Sequence, residues 1–132
     1  MDRSSQFCLT HPSGKDIYLY ILRNINKTEV LISNYGATIM AYKINMPGET
    51  SNDIVLGFDN MQDYLSADYL KTYPFMGTAV GRYANRIANG RFSLKDKTYQ
   101  LPQNTPPNHL HGGPKGFHTQ VWKFESVSSS EI

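Results

Sequence analysis

Apolar and polar positions alternate with a period of two through most of this chain. Ile17, Leu19 and Ile21 interleave with Tyr18, Tyr20 and Leu22, which predicts a strand over residues 17–22 buried on at least one face. Asn24-Ile25-Asn26-Lys27 reads as a turn. Residues 29–33 form a second short strand, with Val30 and Ile32 facing one way. Asn34-Tyr35-Gly36 breaks it, and Gly36 suits a bulge or a positive φ. A longer strand is expected over residues 37–46, closed by Met46-Pro47-Gly48, and a short apolar strand over residues 53–58.

The one helix candidate is short: Asp59 or Asn60 caps residues 61–65. Tyr73-Pro74-Phe75-Met76-Gly77 has no regular pattern. Residues 91–94 and 98–101 alternate as two strands around Lys95-Asp96, where aspartate takes a left-handed turn less readily than glycine. Three prolines make residues 102–107 a loop. Residues 121–127 read as a last strand. No repeat, linker or internal boundary interrupts the 132 residues, so one all-β domain over 1–132 is expected. Ending just after a strand, it leaves a sheet edge to be covered.

Composition narrows the functional classes. Hydrophobic residues are 39% and aromatics 12%, nine of them tyrosines, which fits a folded β-rich protein rather than a disordered one. A net charge of +2, with no basic run, argues against nucleic acid or an anionic membrane as partner. Cys8 is the only cysteine, so no intrachain disulfide forms. The start MDRSSQF has no apolar run for a secretory signal, and nothing approaches a membrane span; a cytoplasmic location follows as the default. Asn26-Lys27-Thr28 is a sequon by pattern and a turn by context.

The candidate chemistry lies in residues 81–113. His109 and His111 are two apart, so on an extended segment both imidazoles face one side, with Leu110 turned inward. One of them suits hydrogen bonding or proton transfer to a ligand oxygen. A two-histidine metal site is a second reading, of cupin-like type, with His118 or Glu125 as the nearest third ligand. The structural alternative is a histidine satisfied by backbone groups beside a turn. Asn85 and Arg86 bring a donor-acceptor amide and a planar fork of donors. Adjacent on a strand they point to opposite faces, so a kink is needed for both to meet one ligand. The Gly112-Gly113 loop lacks the phosphate-binding pattern and reads as a close backbone approach to a ligand. Phe117 and Trp122 offer an apolar face for a sugar, or core. Asp53, Asp59, Asp63 and Asp68 form no paired-acid pattern, and no general base is evident.

Together, GRYANRIANGRFSL, KTYQLPQN, PNHLHGG, the Gly-Phe pair and Val121-Trp122 resemble the aldose 1-epimerases, or galactose mutarotases. NYGATI, DIVLGFD and Tyr64-Leu65 extend the likeness upstream, so that it spans residues 17 to 122. The resemblance implies an antiparallel β-sandwich of the galactose mutarotase type, of which residues 1–132 are the N-terminal part. It implies interconversion of α and β anomers of an aldohexose such as galactose or glucose, without cofactor or metal. It implies that Asn85, Arg86 and His111 contact the sugar, His111 near the ring oxygen. No role passes to His109. The family's acid histidine and base glutamate lie later in its longer chains and have no counterpart here. The chain alone is therefore expected to hold sugar contacts without a complete proton relay, and a missing half or second chain is the expected partner. A non-catalytic sugar-binding module is the alternative. Lys95-Asp96 stands where the family usually has an Asp-Gly turn.

Overall fold

The computed structural model describes residues 2–46, 48 and 51–125. Its frame is one antiparallel sheet in sequence order. β1 (Asp2–Thr10), β2 (Asp16–Arg23), β3 (Glu29–Ser33), β4 (Thr38–Ile44) and β5 (Asn52–Asp53) each pair with the next. Successive hairpins put consecutive strands side by side, which keeps sequence-near contacts dominant. The strands expected over 17–22 and 29–33 are present. The one expected over 37–46 is shortened to Thr38–Ile44 because Gly36 (φ 66) and Ala37 (φ 47) form the left-handed turn before it.

β1 has no counterpart in the sequence reading. Its Arg-Ser-Ser-Gln run carries no apolar alternation, so it is held by pairing with β2, from Asp2↔Arg23 to Thr10↔Asp16, across a register shift between Phe7 and Leu9. Cys8 sits half-buried there, its thiol pushed up by burial.

The strand expected over 53–58 does not form. The Asp53 carboxylate accepts both the Tyr42 amide at 2.9 Å and the Val55 amide at 3.0 Å. That side-chain turn diverts the backbone after two paired residues, and Ile54 and Leu56 are left exposed. The strand expected over 121–127 is also absent. Val121 makes an isolated bridge to Tyr35, residues 122–125 have no strand pairing, and 126–127 fall outside the described residues.

The expected helix is displaced. Residues 63–65 make one 3-10 turn, and α1 (Ala67–Thr72) follows it. Ser66, not Asp59 or Asn60, is the cap: its Oγ accepts the Tyr69 amide at 3.3 Å, with Asp68 in the first turn and Lys71 in the last. The helix lays its tyrosine on the sheet. Tyr64, Tyr69 and Phe58 meet pairwise edge-to-face at 5.2 to 5.5 Å over Ile17, Tyr35, Met40 and Met61. Such aromatic pairs add about 0.5–1.5 kcal/mol each beyond burial.

The second apolar face of the sheet carries Tyr20, on which Phe124 stacks at 4.2 Å. Two further pairs complete the fold: β6 (Arg86–Ile87) with β9 (His109–Leu110), and β7 (Arg91–Leu94) with β8 (Lys97–Gln100). The β7–β8 hairpin has the expected two-residue turn, with Lys95 (φ 46) and Asp96 (φ 59) both left-handed. Among the described residues no helix is long and apolar enough to cross a membrane.

Candidate functional site

The site grows from the β6–β9 pair. Arg86 lies opposite Leu110 and Ile87 opposite His109. The ladder runs one step further, where the His111 amide donates to the Asn85 carbonyl at 3.0 Å. In return the Asn85 amide donates to Nδ1 of His111 at 2.9 Å. A backbone amide can only donate, so Nδ1 is the unprotonated nitrogen and the neutral ring carries its proton on Nε2. No described residue bonds Nε2. His111 therefore presents a hydrogen-bond donor from a half-buried ring.

Asn85 and Arg86 meet as the sequence reading required. Asn85 has φ 62, a left-handed kink that asparagine tolerates, and this turns its side chain toward its neighbour. The Arg86 guanidinium donates to Asn85 Oδ1 at 3.3 Å, and both side chains are exposed. Asn85, Arg86 and His111 are thus brought together at one end of the two-stranded ladder.

His109 and His111 are not brought together. The residue between them stays extended, but His111 itself has φ 51, which rotates its ring out of the strand's alternation. His109 is 6% exposed; its Nδ1–H donates to the Pro102 carbonyl at 2.8 Å and its ring closes on Gly113. This is the backbone-satisfied alternative. Among the described residues no three His, Cys, Asp or Glu side chains converge, so the metal reading of this pair finds no donor set there.

The Gly112-Gly113 loop packs closely against the chain itself. A Cβ on Gly112 would lie 1.8 Å from the Gly81 carbonyl oxygen, and one on Gly113 would lie 2.6 Å from the His109 ring. Asn104 pins the strand below: its Oδ1 accepts the Leu110 amide at 2.8 Å and its Nδ2 donates to the Leu110 carbonyl at 3.0 Å. Phe117 and Trp122 pack edge-to-face at 5.1 Å, with the Trp122 indole donating to the Phe117 carbonyl. Arg82 lies over the Phe117 ring at 5.5 Å.

Three residues that the sequence reading passed over or placed elsewhere complete the surroundings of His111. Phe75 sets its ring against His111 at 4.7 Å and against His118 at 4.8 Å. Tyr73 meets His118 at 4.6 Å, and its hydroxyl donates to the His118 carbonyl at 3.0 Å. The irregular Tyr-Pro-Phe-Met-Gly run hid both aromatics, because their placement depends on left-handed backbone at Tyr73 (φ 35) and Phe75 (φ 58). Burial, then the nearby His111, lowers the His118 pKa. Burial also drives the Tyr73 phenol up, and pushes Tyr69 up to about 12. An open hollow of about 500 Å³ lies beside these rings, with Tyr73, Phe75, Asn104, Leu110 and His118 in its wall.

The antiparallel fold is that of the galactose mutarotase-type β proteins. A crystal structure of galactose 1-epimerase from Lactobacillus acidophilus matches it with a TM-score of 0.76 and 29% identity, over 98% of this chain and 36% of that one. The aldose 1-epimerase family model matches residues 18–132, and the chain belongs to that family. Galactose mutarotase of Rattus norvegicus is 37% identical over 118 residues, 89% of this chain and 33% of the relative. Aldose 1-epimerase of Escherichia coli is 31% identical over 121 residues, 92% and 34% respectively. The chain thus spans about a third of the length of these relatives.

Proposed function

We propose that this chain supplies the sugar-contact part of an aldose 1-epimerase, acting on an aldohexose of the galactose or glucose type. Asn85, Arg86 and His111 hold the sugar, in one domain that is the N-terminal portion of a galactose mutarotase-like sandwich. The observation that carries this reading is the bond from the Asn85 amide to His111 Nδ1, which commits the proton of the neutral ring to Nε2. A donor at that nitrogen suits the sugar's ring oxygen. The Arg86 fork and the Asn85 amide suit its hydroxyls.

Mutarotation needs two transfers. A base takes the proton from the C1 hydroxyl, the C1–O5 bond breaks with a proton delivered to O5, and the free aldehyde forms. Rotation about C1–C2 and the reverse transfers give the other anomer. His111 in its Nε2–H form is a donor and not the base. None of the four carboxylates weighed from sequence has a hydrogen bond to His111: Asp53 is engaged with two backbone amides, Asp59 and Asp68 are exposed, and Asp63 is half-buried in the 3-10 turn before α1. The base, and an acid partner for it, then come from the rest of the fold, whether as a continuation of this chain or a second chain. Positioning both groups accounts for most of the rate gain in such relays, so the chain alone binds sugar and turns it over at a rate near that of buffer.

Two measurements on the 132-residue chain test this. Galactose titration followed by amide chemical shifts is expected to move Asn85, Arg86 and His111, and no shift at millimolar galactose would remove the sugar site. Polarimetry of fresh α-galactose is expected to show the buffer rate, and a faster rate lost on His111→Ala would place the complete relay in this chain. Shifts without rate enhancement also describe a non-catalytic sugar-binding module. Adding the remaining two thirds of a relative separates the two, because only the enzyme part regains mutarotation.

A further inference from the structure

His118 is the most deeply buried of the four histidines, and the proposed contacts do not use it. It is 4% exposed, and its Nδ1 has no hydrogen-bond partner. The CH edge and Nδ1 of its ring press on Gly116, where an added Cβ would lie 2.8 Å from either atom. An imidazole kept there gives up its hydration without recovering a hydrogen bond at that nitrogen, which costs stability. What it gains is packing: Tyr73 on one side and Phe75 on another, each edge-to-face within 5 Å.

Phe75 is the link to the site. Its ring lies against both imidazoles, and its backbone is left-handed at φ 58, as is that of Tyr73 at φ 35 and His111 at φ 51. Left-handed non-glycine residues persist where their surroundings over-determine them. Here three of them converge on one set of rings, whose fourth member is His118.

We infer that His118 is a positioning residue for His111, acting through the Phe75 ring that the two imidazoles share. It fixes the plane of His111 from behind while the Asn85 amide fixes its tautomer from the side. The groups around His118 are the Tyr73 phenol from the segment after α1, His111 from the end of β9, and Lys71, which borders the same hollow from α1. None is a carboxylate, so nothing there favours a charged His118. The effect on His111 is therefore one of shape, exerted by a neutral ring. This inference rests on the sugar-contact reading only for its consequence in binding.

The test uses the 132-residue chain with histidine side chains labelled with nitrogen-15. Wild type is expected to show His111 as a single tautomer, unprotonated at Nδ1. His118→Ala is expected to give a mixed or averaged His111 signature and to weaken galactose binding by about tenfold, the equivalent of one oriented hydrogen bond. His118→Phe keeps a flat ring of similar size, and is expected to restore both. Should His118→Ala fail to fold, Phe75→Leu removes the shared ring alone and is expected to disturb the His111 signature in the same way. An unchanged His111 signature in either folded variant overturns the inference, as does failure of a folded His118→Phe to restore it. If wild type binds no galactose, the sugar reading falls, while the nitrogen signature still decides the role of His118.

Discussion

Asn85 and His111 exchange two hydrogen bonds: the histidine amide donates to the asparagine carbonyl at 3.0 Å, and the asparagine amide donates to the imidazole Nδ1 at 2.9 Å. One bond extends a β ladder; the other selects a tautomer. Replacing His111 by alanine removes only the second and leaves the Asn85 amide, in an exposed residue, to water. The expected result is a stability loss of about 1 kcal/mol, read by urea denaturation, with galactose-induced shifts abolished. A loss of sugar response without loss of fold separates contact from scaffold.

Gly112 admits no side chain. Its φ is +83 and a Cβ would meet the Gly81 carbonyl at 1.8 Å, backbone against backbone with nothing flexible to yield. Gly112→Ala is expected to cost about 4 kcal/mol or more and to leave the chain largely unfolded at 37 °C. Circular dichroism melting checks it. Gly14 also has φ +82 but open space around it, so Gly14→Ala serves as the milder control, losing about 1 kcal/mol through strain alone.

The Lys95-Asp96 turn holds two left-handed residues where only glycine would sit freely. Asp96→Gly is expected to stabilise the β7–β8 hairpin by about 0.5–1 kcal/mol, since relief of the left-handed strain outweighs the added freedom of the unfolded chain. The midpoint of urea unfolding rises, with an unchanged slope. Galactose-induced shifts at Asn85 and His111 stay as in wild type, because the hairpin tip touches neither.

His118 makes stability depend on pH in a stated direction. Burial lowers its folded pKa, so the unfolded chain binds the extra proton more readily. Its contribution is complete above the unfolded value of about 6.5 and is lost as pH falls from there through the folded value. Unfolding free energies measured between pH 7.5 and 4.5 should decline, and His118→Phe should flatten the part of that slope that begins near 6.5. A slope unchanged by His118→Phe would show that other groups account for it.

The strands over 17–22, 29–33 and 91–94 were legible because each alternates strongly and is bounded by turn residues. Three of the misread elements share one cause, which is backbone pairing or capping by polar side chains that leave no hydrophobic period. β1 is held by β2, the strand after Asp53 is ended by a carboxylate on two amides, and α1 begins at a serine. In the site, Asn85, Arg86 and His111 were legible as residue types in a motif. Their meeting was not, because it depends on φ 62 at Asn85 and φ 51 at His111. The equal standing of His109 and His111 on an extended segment was the natural expectation, and one left-handed residue undid it.

By itself the sequence determined the class of fold, the family and the residue types of the candidate site, since alternation, turn chemistry and motif order are local properties of the chain. Only the tertiary structure decided which histidine faces the site, which nitrogen carries its proton, and that Tyr73, Phe75 and His118 stand behind it. Those are set by hydrogen bonds and ring contacts between segments 26 to 45 residues apart, and no local pattern encodes a contact whose partner lies that far along the chain.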